Sequence, residues 1–214
     1  MEKMTEFFEK RVDGYEEHML SVVKGCKEAY MELAGMIPEH CRNLLDLGCG
    51  TGLELNAIFQ RFPAVHVTGI DLTKAMLDKL REKYPDKSLD LVCGSYFDVD
   101  FGTGEYDCAV SFQTMHHFSH QAKRELYQRI LASLKNNGVY IECDYMVENQ
   151  EEEDFYFSEN ARIRNEMKIP DEAFYHYDTP CTVDNQILLL KGGGFSKAEK
   201  AFRMENTTIL VAYR

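Results

Sequence analysis

Short apolar runs alternate along most of the chain with longer stretches whose apolar residues recur every three to four positions. The runs at 43–47, 65–70, 89–93, 107–111 and 139–143 have strand length. Between them, helical periodicity covers a segment starting near Thr51 and ending at Phe62, then 73–83 and 119–135. Thr73 reads as an N-cap, and Asn136-Asn137-Gly138 as a helix stop. This alternation predicts a parallel sheet with helices on both faces. A further helix over 182–191 halts at three glycines, and two more strands, near 197–203 and 207–213, close the sequence.

Two stretches fall outside the alternation. Residues 5–12 and 15–35 read as two helices split near Asp13-Gly14 and ended by Gly35 and Pro38. After the fifth strand the alternation breaks, and Glu151-Glu152-Glu153-Asp154 opens an acidic, aromatic segment that runs to Tyr177. Its helix, 151–168, carries acids in the first turn and Arg162, Arg164 and Lys168 later, which complements the helix dipole.

Charge and cysteine content narrow the function classes. A formal charge of −12 over 214 residues works against nonspecific phosphate-backbone binding, so nucleic acid is not the expected partner and a small-molecule substrate is. No apolar run reaches the roughly 18 residues of a membrane span, and the first residues lack a signal-peptide pattern. Seven cysteines form no C-x-x-C pair, which suits a reducing cytoplasm and no disulfide framework. The sequence leaves a homodimer open.

The chemistry concentrates in Asp46-Leu47-Gly48-Cys49-Gly50-Thr51-Gly52, between the first strand and its helix. A glycine turn at a helix N-terminus brings backbone, and backbone N–H groups, close to a ligand. The glycines read G-x-G-x-G rather than G-x-G-x-x-G, and Asp46 precedes them. That carboxylate would repel a pyrophosphate and attract an ammonium group. Asp71 closes the second strand about 20 residues on, where an acid accepts both ribose hydroxyls. Cys93-Gly94-Ser95-Tyr96-Phe97 ends the third strand, and Ser111-Phe112-Gln113-Thr114-Met115-His116-His117 ends the fourth.

The turn with its acid, the strand-two acid and the histidine pair together resemble the class I S-adenosylmethionine-dependent methyltransferases, strongly over 40–145 and more loosely over 179–213. The resemblance implies a Rossmann-like, doubly wound α/β/α sheet of seven mostly parallel strands with an antiparallel C-terminal edge. It implies one domain over 1–214: a helical lid (1–40), a cofactor core (41–145), an insertion (146–178) and a C-terminal helix and strands (179–214). S-adenosylmethionine would lie against Asp46, Gly48, Cys49, Gly50, Gly52, Asp71, Leu72, Ser95, Tyr96, Phe97, Ser111, Phe112 and His116. Tyr15 would reach its methionine end and Arg11 its carboxylate. Ser95 departs from the family, which often has Asp there.

Methyl transfer would proceed by in-line displacement, mainly through proximity, to a small acceptor. His116, His18 and His176 are the candidate bases. The run Phe174–Pro180, with His176 and Asp178, reads as a wall of the acceptor pocket. No metal is expected: His116 and His120 straddle a helix boundary, and no third ligand stands near them in the sequence. A more distant likeness is to enzymes using carboxylated S-adenosylmethionine on tRNA, without a basic stripe to support it. An NAD-dependent oxidoreductase and a non-catalytic cofactor-binding module are the alternatives of another class; Asp46 and the glycine spacing argue against the first.

Overall fold

The computed structural model describes residues 1–170 and 173–214. Seven strands, β1 (Asn43–Leu47), β2 (His66–Asp71), β3 (Leu89–Cys93), β4 (Tyr106–Phe112), β5 (Leu134–Tyr145), β6 (Lys197–Met204) and β7 (Thr207–Tyr213), form one sheet. Its order is β3-β2-β1-β4-β5-β7-β6. The first five strands are parallel, and β7 runs antiparallel between β5 and the edge strand β6. Strand order reverses between β1 and β4, so a crevice opens at their carboxyl ends.

Successive β1 residues feed opposite cores. Leu44 packs with α3 (Cys26–Met36) and α4 (Leu53–Arg61) on one face. Leu45 and Leu47 pack with α6 (His120–Ser133) and α8 (Val183–Gly192) on the other. Every residue of β4 is buried, as expected of a central parallel strand covered on both faces. α5 (Lys74–Lys83) follows β2, and α7 (Gln150–Met167) lies on the surface with Glu153 its one buried residue.

The helix expected over 15–35 is two helices, α2 (Tyr15–Ser21) and α3, preceded by the short α1 (Met4–Glu9). Gly25 breaks it at φ +84°, where a Cβ would lie 2.8 Å from the Met204 carbonyl oxygen. The bend lets α3 join the core while α1 and α2 border the crevice. Asn136-Asn137-Gly138 is also corrected. α6 ends at Ser133 and β5 starts at once, with Asn137 at φ 65° inside the strand. Thr73 precedes α5 as expected, but its buried hydroxyl makes no capping hydrogen bond. Asp71 Oδ1 accepts the Thr73 N–H instead, at 2.8 Å.

Candidate active site

Gly48, Gly50 and Gly52 all adopt left-handed backbone, at φ +74°, +48° and +68°. Their N–H groups are not free donors, contrary to the reading from sequence. Gly48 and Cys49 donate to the Ile70 carbonyl (2.8 and 3.2 Å), Gly50 to Asp71 Oδ2 (2.9 Å), and Gly52 to the Cys49 carbonyl (2.8 Å). The turn therefore offers close approach rather than an anion cradle, which disfavours a pyrophosphate ligand. Asp71 spends one oxygen on the turn and the other on Thr73, joining the two loops that flank the crevice; each oxygen retains a further lone pair.

Asp46 does not line the crevice. It is fully buried beneath the turn beside Glu54, to which it is hydrogen-bonded when one of the two acids holds a proton; with both ionised, neither Asp46 oxygen nor Glu54 Oε1 has a hydrogen-bond partner among the described residues. Burial, then the Glu54 charge, pushes the Asp46 carboxyl well above the usual range, and burial pushes Glu54 up to about 7. These acids share less than their full complement of charge, so the simple picture of an exposed carboxylate guard is replaced by a buried acid pair. Orphaned buried oxygens fit a ligand amine or a bridging water.

Across the crevice from the turn stands Tyr15. A Cβ on Gly50 would lie 3.6 Å from its ring. Burial, then Glu54 and Asp71, keeps its phenol protonated. Gly48, Gly50, Asp71, Leu72, Tyr96 and Thr114 border a narrow cleft of about 50 Å³, closed from α1 by Met4 and Phe8. The Tyr96 hydroxyl pairs with that of Thr114 at 2.8 Å. Phe8, Tyr15, Gln113 and His117 also border a second, larger cavity of about 830 Å³. Its remaining walls include Lys10, Arg11, His18, Lys24, His116, His176 and Asp178.

His116 is the most constrained of the three candidate bases. Its Nδ1 lies 2.5 Å from Asp144 Oδ1, and both side chains are buried. Burial opposes its charge, but Asp144 and then Asp178 outweigh that and raise its pKa above the ordinary histidine value. His117, buried beside His116 and His176, is held well below it. His176 stacks on Phe7 at 3.5 Å, and burial lowers its pKa. His18 is exposed at the cavity rim.

Several expected contacts fall elsewhere. The Ser111 hydroxyl points away from the crevice to the Tyr140 hydroxyl, 2.6 Å distant, because side chains alternate along β4. The Phe112 ring stacks on Tyr30 in the core at 4.1 Å, although the residue edges the cleft. Ser95 Oγ turns back to accept the Phe97 N–H (3.2 Å), and Phe97 stacks on Phe174 rather than covering the cleft. The Cys49 thiol packs in the core, and Gly52 carries Tyr84 on its carbonyl. Arg11 borders the large cavity but rests on the Phe7 ring and pairs with Glu2 at 3.1 Å.

Sequence reasoning missed Met4, Phe8, Gln113, Thr114 and Asp144. Gln113 carried no sequence signal, yet its φ of 52° at the end of β4 turns the chain into the crevice. Asp144 sits one residue beyond the expected strand five, and its partner His116 is 28 residues away.

The topology and the glycine turn at its switch point define a class I methyltransferase. A model of the methyltransferase domain matches residues 44–138. A carboxy-S-adenosyl-L-methionine synthase of Helicobacter pylori is 30% identical over 180 residues, covering 79% of this chain and 74% of the relative. The Trichodesmium erythraeum enzyme of that name is 27% identical over 185 residues (80% and 72%). Among solved structures, a putative O-methyltransferase of Nostoc punctiforme superposes with a TM-score of 0.72 at 19% identity, covering 96% of this chain and 59% of that one. Human N-acetylserotonin methyltransferase, solved with its cofactor, gives 0.65 at 14% (88% and 52%). This chain thus spans little more than half of those two structures. The chain belongs to the class I S-adenosylmethionine-dependent methyltransferases, and S-adenosylmethionine is its cofactor. Among the described residues, no helix is long and apolar enough to cross a membrane.

Proposed function

We propose that this enzyme transfers the cofactor's methyl group to a small-molecule acceptor held in the 830 Å³ cavity. The supporting observation is the shared wall: Phe8, Tyr15, Gln113 and His117 border both the nucleoside cleft and the larger cavity, so the two are adjoining compartments of one site. A volume of this order suits a small molecule alongside the methionine end of the cofactor. When bound, the cofactor supplies an electrophilic methyl on a sulfonium.

The chain's own residues would align and shelter it. Asp71 would hold the ribose, Leu72 and Tyr96 would flank the nucleoside, and the Asp46–Glu54 pair would meet the amine through the turn. Met4 and Phe8 line the cleft, whose volume of about 50 Å³ is too small for a nucleoside, so α1 would have to shift for one to enter and would then cover it. Phe7, Phe8 and Tyr15 exclude water, and proximity supplies most of the rate. His116, oriented by Asp144, is the base best placed for an acceptor that retains its proton.

Incubation with methyl-labelled cofactor and fractionated metabolites tests the reading. A labelled small product supports it, and label confined to macromolecules refutes it. A second reading is carboxylation of the cofactor itself, favoured by the relatives named carboxy-S-adenosyl-L-methionine synthase and by Lys10, Arg11 and Lys24 around the cavity, which suit an anionic substrate. Mass spectrometry separates the two, since only the second yields a carboxylated cofactor, the type of compound a tRNA-modifying transferase would consume.

A further inference from the structure

We propose that His116, His117 and Asp178 form a binding site for a divalent first-row transition-metal ion, with Zn²⁺ the natural probe. Asp178 Oδ1 lies 3.6 Å from His116 Nε2 and 3.4 Å from His117 Nδ1; the same His117 nitrogen faces the Tyr177 carbonyl at 3.4 Å, a long contact that ligation would replace. All three donor atoms fall within 4.8 Å of one another. Those separations are long for a histidine–carboxylate hydrogen bond, which prefers about 2.7–3.2 Å. They match ligands of one ion: with metal–ligand bonds of about 2.1 Å, tetrahedral donors stand about 3.4 Å apart.

Asp178 Oδ1 is shielded from solvent and has no hydrogen-bond partner among the described residues. His116 gives its other nitrogen, Nδ1, to buried Asp144 at 2.5 Å. A carboxylate behind a ligating imidazole is the usual support that fixes the tautomer and aims Nε2 outward. The backbone locks the juxtaposition. The Thr179 N–H donates to the His116 carbonyl at 2.6 Å, and the Thr179 hydroxyl donates to the same oxygen at 3.0 Å. The two ligand segments are therefore clamped one residue from Asp178.

The position suits a catalytic rather than a structural ion, since three protein ligands leave a coordination site facing the large cavity that all three border. His176 Nε2, 4.0 Å from Asp178 Oδ1, stands near enough to complete the set when no acceptor is bound. Resting on the proposed methyl transfer, and with His116 then a ligand rather than the base, the open position would take an acceptor through oxygen or sulfur and favour its deprotonation in place of that histidine. A second group of potential ligands, His120, Glu153 and Cys181, differs in one respect: the Lys123 ammonium lies 3.1 Å from Cys181 Sγ and supplies a cation already.

The test uses tag-free, chelator-stripped protein titrated with Co²⁺ and then Zn²⁺. One equivalent should bind, with visible cobalt bands and no thiolate-to-cobalt charge transfer. Asp178→Asn should weaken Zn²⁺ at least tenfold, Asp144→Asn should weaken it by about tenfold as a positioning residue, and Cys181→Ser should leave it unchanged. Absence of saturable binding to the wild type overturns the proposal, as does affinity unmoved in a folded Asp178→Asn variant or a thiolate band lost in Cys181→Ser. Zinc binding without any methyl transfer would leave the site standing and refute the transfer reading; transfer by a protein that binds no zinc would do the reverse.

Discussion

Gly50→Ala isolates what the glycine turn contributes. Gly50 sits at φ +48°, where a side chain costs about 1 kcal/mol or somewhat more. The new methyl meets Tyr15 Cε1 at 3.6 Å and its hydroxyl at 3.8 Å, ordinary contact distances, so the protein folds. It does fill the gap between turn and ring that a ligand must enter. A cofactor pushed back by about an ångström loses on the order of two hydrogen bonds, each worth about 1 kcal/mol, or roughly thirtyfold in affinity. Gly104→Ala is the control: its φ is +67°, and a Cβ there meets nothing within 4 Å. Both variants should melt about 2–4 °C below the wild type, while calorimetric titration shows weakened S-adenosylmethionine binding only for Gly50→Ala. Equal affinities in the two variants, at equal loss of stability, would refute the placement of the cofactor between Gly50 and Tyr15.

Asp71→Asn leaves either the Gly50 or the Thr73 N–H facing an amide NH₂, an unpaired donor worth about 1–3 kcal/mol; thermal melts should show that loss, with cofactor affinity down about tenfold or more, and wild-type affinity in this variant would remove Asp71 from the site. Cofactor binding near pH 6.5 should release a proton, because an ammonium drawn to the Asp46–Glu54 pair lowers carboxyls that burial has raised, Glu54 to about 7. Binding enthalpies that agree in phosphate and Tris buffers would contradict it. Burial likewise pushes Glu142, packed with Tyr127, Tyr140 and Gln186, up to about 7 from the ordinary 4.5 of a glutamate. A raised carboxyl keeps its proton in the folded state after the unfolded chain has lost its own, so stability falls as pH rises through about 4.5 to 7, by at most about 1.4 kcal/mol per unit for each such group. Glu142→Gln should bring the urea midpoints at about pH 5 and about pH 7.5 closer together; an unchanged gap would show that Glu142 does not titrate there.

The architecture was legible because its signals are local. Period and length fixed β1, β3 and β7 to the residue, and the break after Gly48-Cys49-Gly50 marked the crevice, since a left-handed backbone favours glycine and three alternate glycines adopt it here. The same local rules failed at Gly25, which reads as one weak helix position and is a bend only because the Met204 carbonyl lies against it. They failed at Ser111 and Phe112 too, because loop residues and strand residues look alike in sequence while the pleat sends neighbours to opposite faces. Asp46 was legible as an acid beside the turn, but its burial beside Glu54, and so its proton, depends on how α4 packs on β1. His116 could be named from the sequence; Asp144 and Asp178, 28 and 62 residues further on, meet it only when β5 is laid beside β4 and Thr179 is tied to the His116 carbonyl. Spacing along a chain encodes which element forms, whereas contact between elements is decided by packing across the sheet, and chemistry drawn from distant segments becomes visible only there.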